Sequence, residues 1–357
     1  MTSRAVLTAA GALAIAAIGA GAGAGIYAAF APATKTVVST TTTVAGSQPV
    51  SASSGLSINA IYQRTYQGVV DITSETDGGG FSPFGGGVGQ SEGSGFVYDK
   101  QGDIITNQHV VAGATKIKIT FWNGKSYTAK LVGADNSTDL AVVRVSSAPS
   151  SMLHPLTLAD STNVQVGDPV IAIGSPFGLA ETVTSGIVSA LGRTMDAPNS
   201  YTIGNSIQTD APINHGNSGG PLIDAAAHVI GVNAQIQSDG GGSNGVGFAI
   251  PSNTVSSVIA QIVAGKTVAH AYLGITVDTS SSPQGAGVAR VFAGQPAIKA
   301  GLRAGDVIVK LDDTVVTNAD DLSNVIDAKK PGDSLSVTYV RSGQQHTVQV
   351  KLATRPS

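Results

Sequence analysis

A serine between glycines is the residue of this chain best suited to nucleophilic chemistry. Ser218 lies in the run Gly216 to Leu222, which reads GNSGGPL. Glycines permit a tight turn and let a substrate backbone come close. The N–H groups of such a turn can converge on the oxygen that becomes negative during acyl transfer. A glycine-rich turn without chemistry fits the same run, so the distinction depends on whether the chain also supplies a base.

Two further residues complete the chemistry that a serine nucleophile requires, because its hydroxyl needs a base and the base needs an orienting acceptor. His109 follows an apolar and then polar stretch that is typical of a strand ending in a turn. Asp139 stands where a polar loop enters an apolar strand, and a buried carboxylate there can accept a hydrogen bond from the imidazole. The pattern predicts a catalytic triad in the chain order His109, Asp139, Ser218.

Eight short segments, taken together and in order, resemble those of the HtrA/Deg-type serine proteases, a branch of the chymotrypsin-like fold. The resemblance covers residues 57 to 355 and implies a mainly β chain: a double β-barrel protease domain followed by one small α+β PDZ domain. The segments are GSGF at 93–96, TNQHV at 106–110, TDLAV at 138–142, IAIGSPFG at 171–178, TSGIVS at 184–189, TDA at 209–211, GNSGGP at 216–221 and GFAIP at 247–251.

The turn around Ser218 also predicts an oxyanion hole. Its residues are Gly216, Asn217 and Ser218, with the main-chain N–H groups of Gly216 and Ser218 as the donors. By resemblance, Ile213 and Ile236 line the primary specificity pocket, which implies cleavage after small or medium aliphatic residues. An ordinary core role for both isoleucines remains open.

The strand pattern is consistent with two barrels. Apolar runs separated by polar turns fill residues 96–143 and 159–251, and Asn123-Gly124 predicts a hairpin turn. The glycine-rich stretch from Asp77 to Gly95 predicts a long mobile loop. The two loops near 193–205 and 238–245 are polar or glycine-rich, and in the resembling family such loops govern activation.

A change of pattern near Gly265 marks the PDZ domain, residues 268–355, after the protease domain, residues 57–264. Such domains add a peptide as a strand and bind its C-terminal carboxylate with loop N–H groups. The predicted loop comprises Tyr272, Leu273, Gly274 and Ile275. The predicted groove wall is a helix capped by Asn318 and bearing Leu322, Val325 and Ile326, although a core role for these three is the alternative.

The N-terminus predicts export. Residues 1–32 contain an uncharged apolar run after Arg4, long enough to span a bilayer, and 33–56 form a Ser/Thr-rich flexible linker. A single-pass anchor in a bacterial cell membrane and a cleaved signal peptide both fit, since Ala29-Phe30-Ala31 resembles a cleavage site. Either interpretation places the remaining chain outside the cytoplasm.

Composition excludes several classes. The chain has no cysteine, which rules out disulfides and thiol catalysis, and its formal charge of −3 gives no basic footprint for nucleic acid. No cofactor or metal is predicted. His154, His228, His270 and His346 have no partner spacing and are expected at the surface. His215 stands where the family commonly has Pro or Arg, and we hypothesise that its protonation biases the oxyanion turn.

These observations predict an ATP-independent extracytoplasmic serine endopeptidase of protein quality control and stress response, acting on unfolded or regulatory proteins through an acyl-enzyme. The PDZ domain would bind peptide C-termini. The resemblance implies a homotrimer, with Tyr62 and Tyr66 as candidate contacts. Two alternatives remain: a chaperone-like binding protein that cleaves little, and a peptide sensor in which the PDZ domain gates the protease.

Overall fold

The described part of the chain contains two closed six-stranded barrels, a further six-stranded sheet and a separate two-stranded sheet. The structure is a computed structural model that describes residues 55–76, 89–174, 182–198, 201–214, 216–236, 245–278 and 285–356, without the side chains of Asp196, Gln235 and Ile236. The predicted anchor, nearly all of the predicted linker and His215 lie outside these ranges. Within them, no helix combines the length and apolarity that crossing a membrane requires.

The first barrel follows the short helix α1 (Ile58–Thr65), whose N-cap Ser57 accepts a hydrogen bond from the Ala60 amide. The antiparallel strands of this barrel are arranged in the order β1-β2-β3-β6-β5-β4. The β4–β5 hairpin turns at Asn123-Gly124 with Gly124 at φ 77°, which confirms the predicted turn. The strands are β1 (Val69–Glu75), β2 (Gln90–Val97), β3 (Asp103–Asn107), β4 (Lys116–Phe121), β5 (Ser126–Asp135) and β6 (Leu140–Arg144).

Part of the predicted mobile loop is a strand, so that prediction is wrong for residues 90–95, whereas 77–88 lie outside the described ranges. The glycines there serve packing. A Cβ at Gly93 would lie 2.7 Å from Val110 Cγ2, and one at Gly95 would lie 2.8 Å from the Ile105 carbonyl oxygen. Close approach of neighbouring segments, rather than freedom of the backbone, accounts for these glycines.

The second barrel has the strand order β10-β11-β12-β9-β8-β7, and its six strands lie within the predicted range of residues 159–251. The helix α3 (Ser252–Val263), which the sequence analysis missed, buries Val255, Ile259 and Ile262. A Cβ at Gly133 of β5 would lie 2.9 Å from Ile262, so this helix also packs on the first barrel. The strands are β7 (Pro169–Gly174), β8 (Thr182–Asp196), β9 (Thr202–Thr209), β10 (Pro221–Asp224), β11 (Val229–Ile236) and β12 (Gly247–Pro251).

The third sheet has the order β14-β15-β16-β18-β19, with β17 paired to β16, and the short strands β13 and β20 pair separately. The helix α5 (Ala319–Asp327) starts where predicted, since the Asn318 side chain accepts from the Asp321 amide at 2.9 Å. The other elements are β13 (Ala271–Tyr272), β14 (Ile275–Asp278), β15 (Ala286–Val291), α4 (Pro296–Lys299), β16 (Val307–Leu311), β17 (Thr314–Val315), β18 (Ser334–Arg341), β19 (Gln344–Lys351) and β20 (Ala353–Thr354).

Candidate active site

His109 and Asp139 are joined directly in the first barrel. His109 lies in the short helix α2 (Gln108–Val111), which begins where β3 ends. Its ring Nδ1 donates to Asp139 Oδ2 at 2.7 Å, and its backbone N–H donates to Oδ1 at 2.9 Å. The carboxylate is fully buried, whereas the imidazole is 10% exposed. Both carboxylate oxygens are therefore used to orient one histidine, and its Nε2 is the ring nitrogen that does not bond Asp139.

Asp139 has an unusual backbone conformation, with φ at 54°. A residue with a Cβ pays about 1 kcal/mol for this left-handed region, so surrounding contacts must stabilise it. Its carbonyl oxygen accepts hydrogen bonds from the backbone N–H of Gln108 and from the side-chain Nδ2 of Asn107, both at 3.0 Å. This geometry places the carboxylate under α2 at the start of β6.

The loop bearing Ser218 is packed tightly against the first barrel. The Ser94 amide donates to the Ser218 carbonyl oxygen at 2.8 Å, and Ser94 Oγ donates to that of Gly216 at 2.5 Å. Gly219 has φ 84°, and a Cβ there would overlap the Ser94 carbonyl oxygen and Thr106 Oγ1. Only glycine fits this position, so the glycine pattern around Ser218 has a packing cause as well as a conformational one.

The Ser218 hydroxyl donates to the Ala234 carbonyl oxygen at 3.2 Å. Ala234 is the extra residue of a β-bulge, since Asn233 pairs with Ala249 while Gln235 pairs with Phe248. A bulged residue lies outside the regular ladder, which leaves its carbonyl available. Across the part of the chain that is described, no hydrogen bond joins Ser218 to His109.

The predicted oxyanion donors differ in their partners. The Asn217 amide donates to the Asn214 carbonyl oxygen at 3.0 Å, so it is used within the turn. The amides of Gly216 and Ser218 have no hydrogen-bond acceptor among the described residues. The geometry therefore favours these two as the groups available to a substrate oxygen.

The two predicted pocket residues flank one glycine. Ile213 is buried, with 1% of its surface exposed, and a Cβ on Gly247 would lie 2.6 Å from its Cγ1. The backbone of Ile236 pairs with Gly247 across β11 and β12, whereas its side chain lies outside the description. The structure thus brings the two positions together.

A groove of about 260 Å³ lies between the loop after β13 and the helix α5. The predicted Tyr272, Leu273, Gly274, Ile275, Leu322 and Ile326 all line it. Val325 does not line the groove. It packs against the core of the third sheet, which is the alternative role that the sequence left open for it. Ser323 and Asp327 complete the helical wall, and Tyr201, Thr202 and Gly204 of the second barrel lie at the same groove.

One side chain that the sequence analysis missed connects α5 to the β8–β9 hairpin. Asn324 Nδ2 donates to the Gly192 carbonyl oxygen at 2.9 Å, and its Oδ1 accepts from the Asn205 amide at 2.5 Å. A single amide thus bonds both strands of the hairpin that borders the groove. No sequence signal indicates this pair, because the contact spans more than a hundred residues.

The expectation of a surface position for His270 is wrong. Its Nε2 donates to both oxygens of Asp135 at 2.9 Å, and its side chain is 19% exposed. Burial opposes ionisation of Asp135, but hydrogen bonds from His270 and Thr138 and the charge of His270 together lower the pKa of this carboxyl. Among the described residues, no cluster of three or more histidines and carboxylates has a geometry suited to a metal ion.

The domains match two family models. A trypsin-like peptidase domain matches residues 93–232, and a PDZ domain matches residues 271–352. Both lie within the boundaries expected from the sequence.

Whole-chain comparisons agree with these matches. Protease Do-like 1, chloroplastic, from Arabidopsis thaliana is 40% identical over 286 residues, covering 75% of this chain and 65% of that protein. A probable periplasmic serine endoprotease, DegP-like, from Hahella chejuensis is 41% identical over 278 residues, covering 75% and 58%. This chain therefore spans about three fifths of the length of these curated relatives. The solved structure of the HtrA-type protease AlgW with tripeptide matches at 34% identity and a TM-score of 0.68, covering 84% of this chain and 98% of that one.

Proposed function

The chain belongs to the HtrA-type serine proteases, and from that premise we propose that it is an extracytoplasmic, ATP-independent endopeptidase that cleaves unfolded or regulatory proteins. The observation that carries this proposal is the pair formed by His109 and Asp139 beside the glycine-rich turn of Ser218. Relatives described as periplasmic support the location outside the cytoplasm. The apolar N-terminus is proposed as its membrane anchor.

In the proposed reaction, His109 Nε2 removes the proton from Ser218 Oγ as this oxygen attacks the peptide carbonyl. Asp139 keeps the imidazole oriented and stabilises its charged form. The amides of Gly216 and Ser218 stabilise the oxyanion, His109 returns the proton to the leaving amine, and water then hydrolyses the acyl-enzyme. Before the attack, the Ser218 hydroxyl must turn away from the Ala234 carbonyl oxygen. We therefore expect a substrate, or a ligand in the groove, to shift the Ser218 hydroxyl from the position that bonds Ala234 towards the position that bonds His109.

The groove of the PDZ domain is proposed to bind the apolar C-terminus of a peptide. Gly274, at φ 85°, lies in the loop whose amides would face the terminal carboxylate, and Leu322 and Ile326 supply apolar walls. For the cleavage site, Ile213 and Ile236 are proposed to select small or medium aliphatic residues. The stacked rings of Tyr62 and Tyr66, 5.2 Å apart, are proposed to contribute to a homotrimer.

Turnover of casein, an unfolded protein, tests the proposal in the full chain. The wild type is expected to degrade casein, and Ser218→Ala is expected to bind casein without cleaving it. Equal turnover by both proteins would overturn the assignment.

The contact from Ser218 to Ala234 favours a second candidate, a chaperone-like or peptide-sensing protein with gated activity. Casein binding without turnover by the wild type, even with an apolar C-terminal peptide present, would select this candidate.

A further inference from the structure

A carboxylate outside the triad lies next to the turn that carries Asp139. Asp135 ends β5, and its side chain is 9% exposed. Its Oδ2 accepts hydrogen bonds from the Thr138 amide at 3.1 Å and from Thr138 Oγ1 at 2.5 Å. Thr138 is the residue directly before Asp139. A buried carboxylate thus fixes one side of the turn on which the catalytic acid depends.

The same carboxylate also contacts the segment that leads into the PDZ domain. His270, directly before β13, donates to both Asp135 oxygens. The His270 carbonyl oxygen accepts a hydrogen bond at 2.9 Å from the backbone N–H of Arg355, the residue that follows β20. The charged groups that face this imidazole are Asp135 from the first barrel, and Asp327 of α5 with its partner Arg355 from the PDZ domain.

The conformation of Asp139 explains why such a contact matters. A backbone at φ 54° persists only where neighbours determine it. Asn107 and Gln108 bond the Asp139 carbonyl oxygen from one side, and Asp135 fixes Thr138 on the other. Loss of the Asp135 side-chain contacts would remove both hydrogen bonds that hold Thr138, the residue directly before Asp139, and we expect the carboxylate that orients His109 to move as a result.

We propose that Asp135 is a positioning residue for the catalytic acid and that His270 stabilises Asp135, so that the entry to the PDZ domain is coupled to the triad. The proposal rests on the proposed function. It assigns no contact with substrate to either residue, because both act through Thr138 and Asp139. A displacement of about 1 Å at a catalytic group can lower the rate by about a hundredfold, so small changes suffice.

Kinetics and NMR on the full chain test the proposal. Asp135→Ala is expected to lower kcat on a peptide substrate about 10- to 100-fold with KM little changed. Its ¹H spectrum should show a shifted or broadened resonance for the His109 Nδ1 proton, assigned by its absence in His109→Ala. Asp224→Ala is the matched control, because Asp224 also accepts two turn amides, at 2.9 and 2.8 Å, beside a histidine. The control should leave kcat and the resonance unchanged.

Variants of His270 test the proposed link between the PDZ domain and Asp135. His270→Ala should lower kcat in the same direction as Asp135→Ala but by less, and His270→Gln, which keeps a neutral donor, should restore part of the loss. Wild-type kcat in His270→Ala alongside a loss in Asp135→Ala would overturn the link to the PDZ domain. Should Asp135→Ala fail to fold, Asp135→Asn replaces it. Its side chain offers one acceptor oxygen instead of two, so it cannot keep every bond to Thr138 and His270, and kcat should again fall. A wild-type kcat in Asp135→Asn would then overturn the proposal.

The NMR arm separates failure of this inference from failure of the proposed function. A wild type without turnover refutes the function, yet the His109 resonance still reports on Asp135. A wild-type kcat and resonance in Asp135→Ala would overturn the inference while leaving the protease assignment intact.

Discussion

Ser218 Oγ lies 3.2 Å from the carbonyl oxygen of Ala234 and donates its hydrogen bond there, on the bulged strand behind the glycine turn. The other half of the proposed triad is already formed, since His109 Nδ1 donates to Asp139 at 2.7 Å. The proposed acid and base are therefore preorganised in one barrel, whereas the proposed nucleophile, in the other barrel, has still to rotate.

Replacing Asp139 by asparagine should abolish most activity. The asparagine side chain has one acceptor oxygen instead of two, so it no longer fixes the His109 tautomer. We expect kcat to fall about 10⁴-fold with KM nearly unchanged. The measurement is steady-state cleavage of a fluorogenic peptide with an aliphatic residue before the scissile bond. Asp313→Asn, at a fully exposed carboxylate, is the control and should match the wild type. A loss below tenfold in Asp139→Asn would argue against the assigned acid.

Gly219→Ala should remove activity and destabilise the fold. The added Cβ would overlap the Ser94 carbonyl oxygen and Thr106 Oγ1, so the Ser218 turn must move. Gly124→Ala is a matched control, because Gly124 has a similar φ of 77° but no atom within 4 Å of its Cβ. Gly124→Ala should lower the free energy of unfolding by about 1 kcal/mol and keep full activity. Thermal unfolding and peptide cleavage of the two variants measure the difference, and equal behaviour would refute the packing role of Gly219.

Asn324→Ala should loosen the hairpin beside the groove. The variant loses the bonds to Gly192 and Asn205, each contributing about 1 kcal/mol to local stability. Hydrogen exchange of the Asn205 amide should accelerate severalfold. Asn324→Asp keeps the acceptor for this amide and should preserve its protection. Unchanged exchange in Asn324→Ala would show that the clamp does not stabilise the hairpin.

Acid should destabilise the PDZ domain through Asp306. Burial opposes its ionisation, but hydrogen bonds from Arg341 and the Arg303 amide outweigh this and lower the pKa of the Asp306 carboxyl. A lowered pKa in the folded state contributes stability that is present above the ordinary value, about 3.9, and is lost as the pH falls through the lowered value. Asp306→Asn should be less stable at neutral pH and show a weaker dependence on acid. Unfolding midpoints between pH 7 and pH 2 measure both, and parallel curves for the two proteins would count against this role.

Short-range signals in the sequence account for much of the site. The strand before His109, the cap at Asn318 and the hairpin at Gly124 depend on neighbouring residues, and the structure has each of them. The glycines around Ser218 indicated a tight turn for the same reason.

The remaining features depend on contacts between distant segments. Asn324 bonds a hairpin more than a hundred residues away, and His270 contacts Asp135 across the two domains. Gly93 and Gly95 suggested a mobile loop because composition does not reveal which neighbour a missing Cβ makes room for. The hydroxyl of Ser218 bonds the bulged residue Ala234, and no local pattern indicated either the bulge or this contact.

Labelling with an activated fluorophosphonate, mapped by mass spectrometry on the full chain, tests the central claim most directly. The probe reacts with a serine whose proton is removed by an adjacent base. We predict a label on Ser218 that is lost in His109→Ala and that forms faster with a peptide ending in an apolar residue. A label on another residue, or equal labelling of Ser218 in His109→Ala, would contradict the triad.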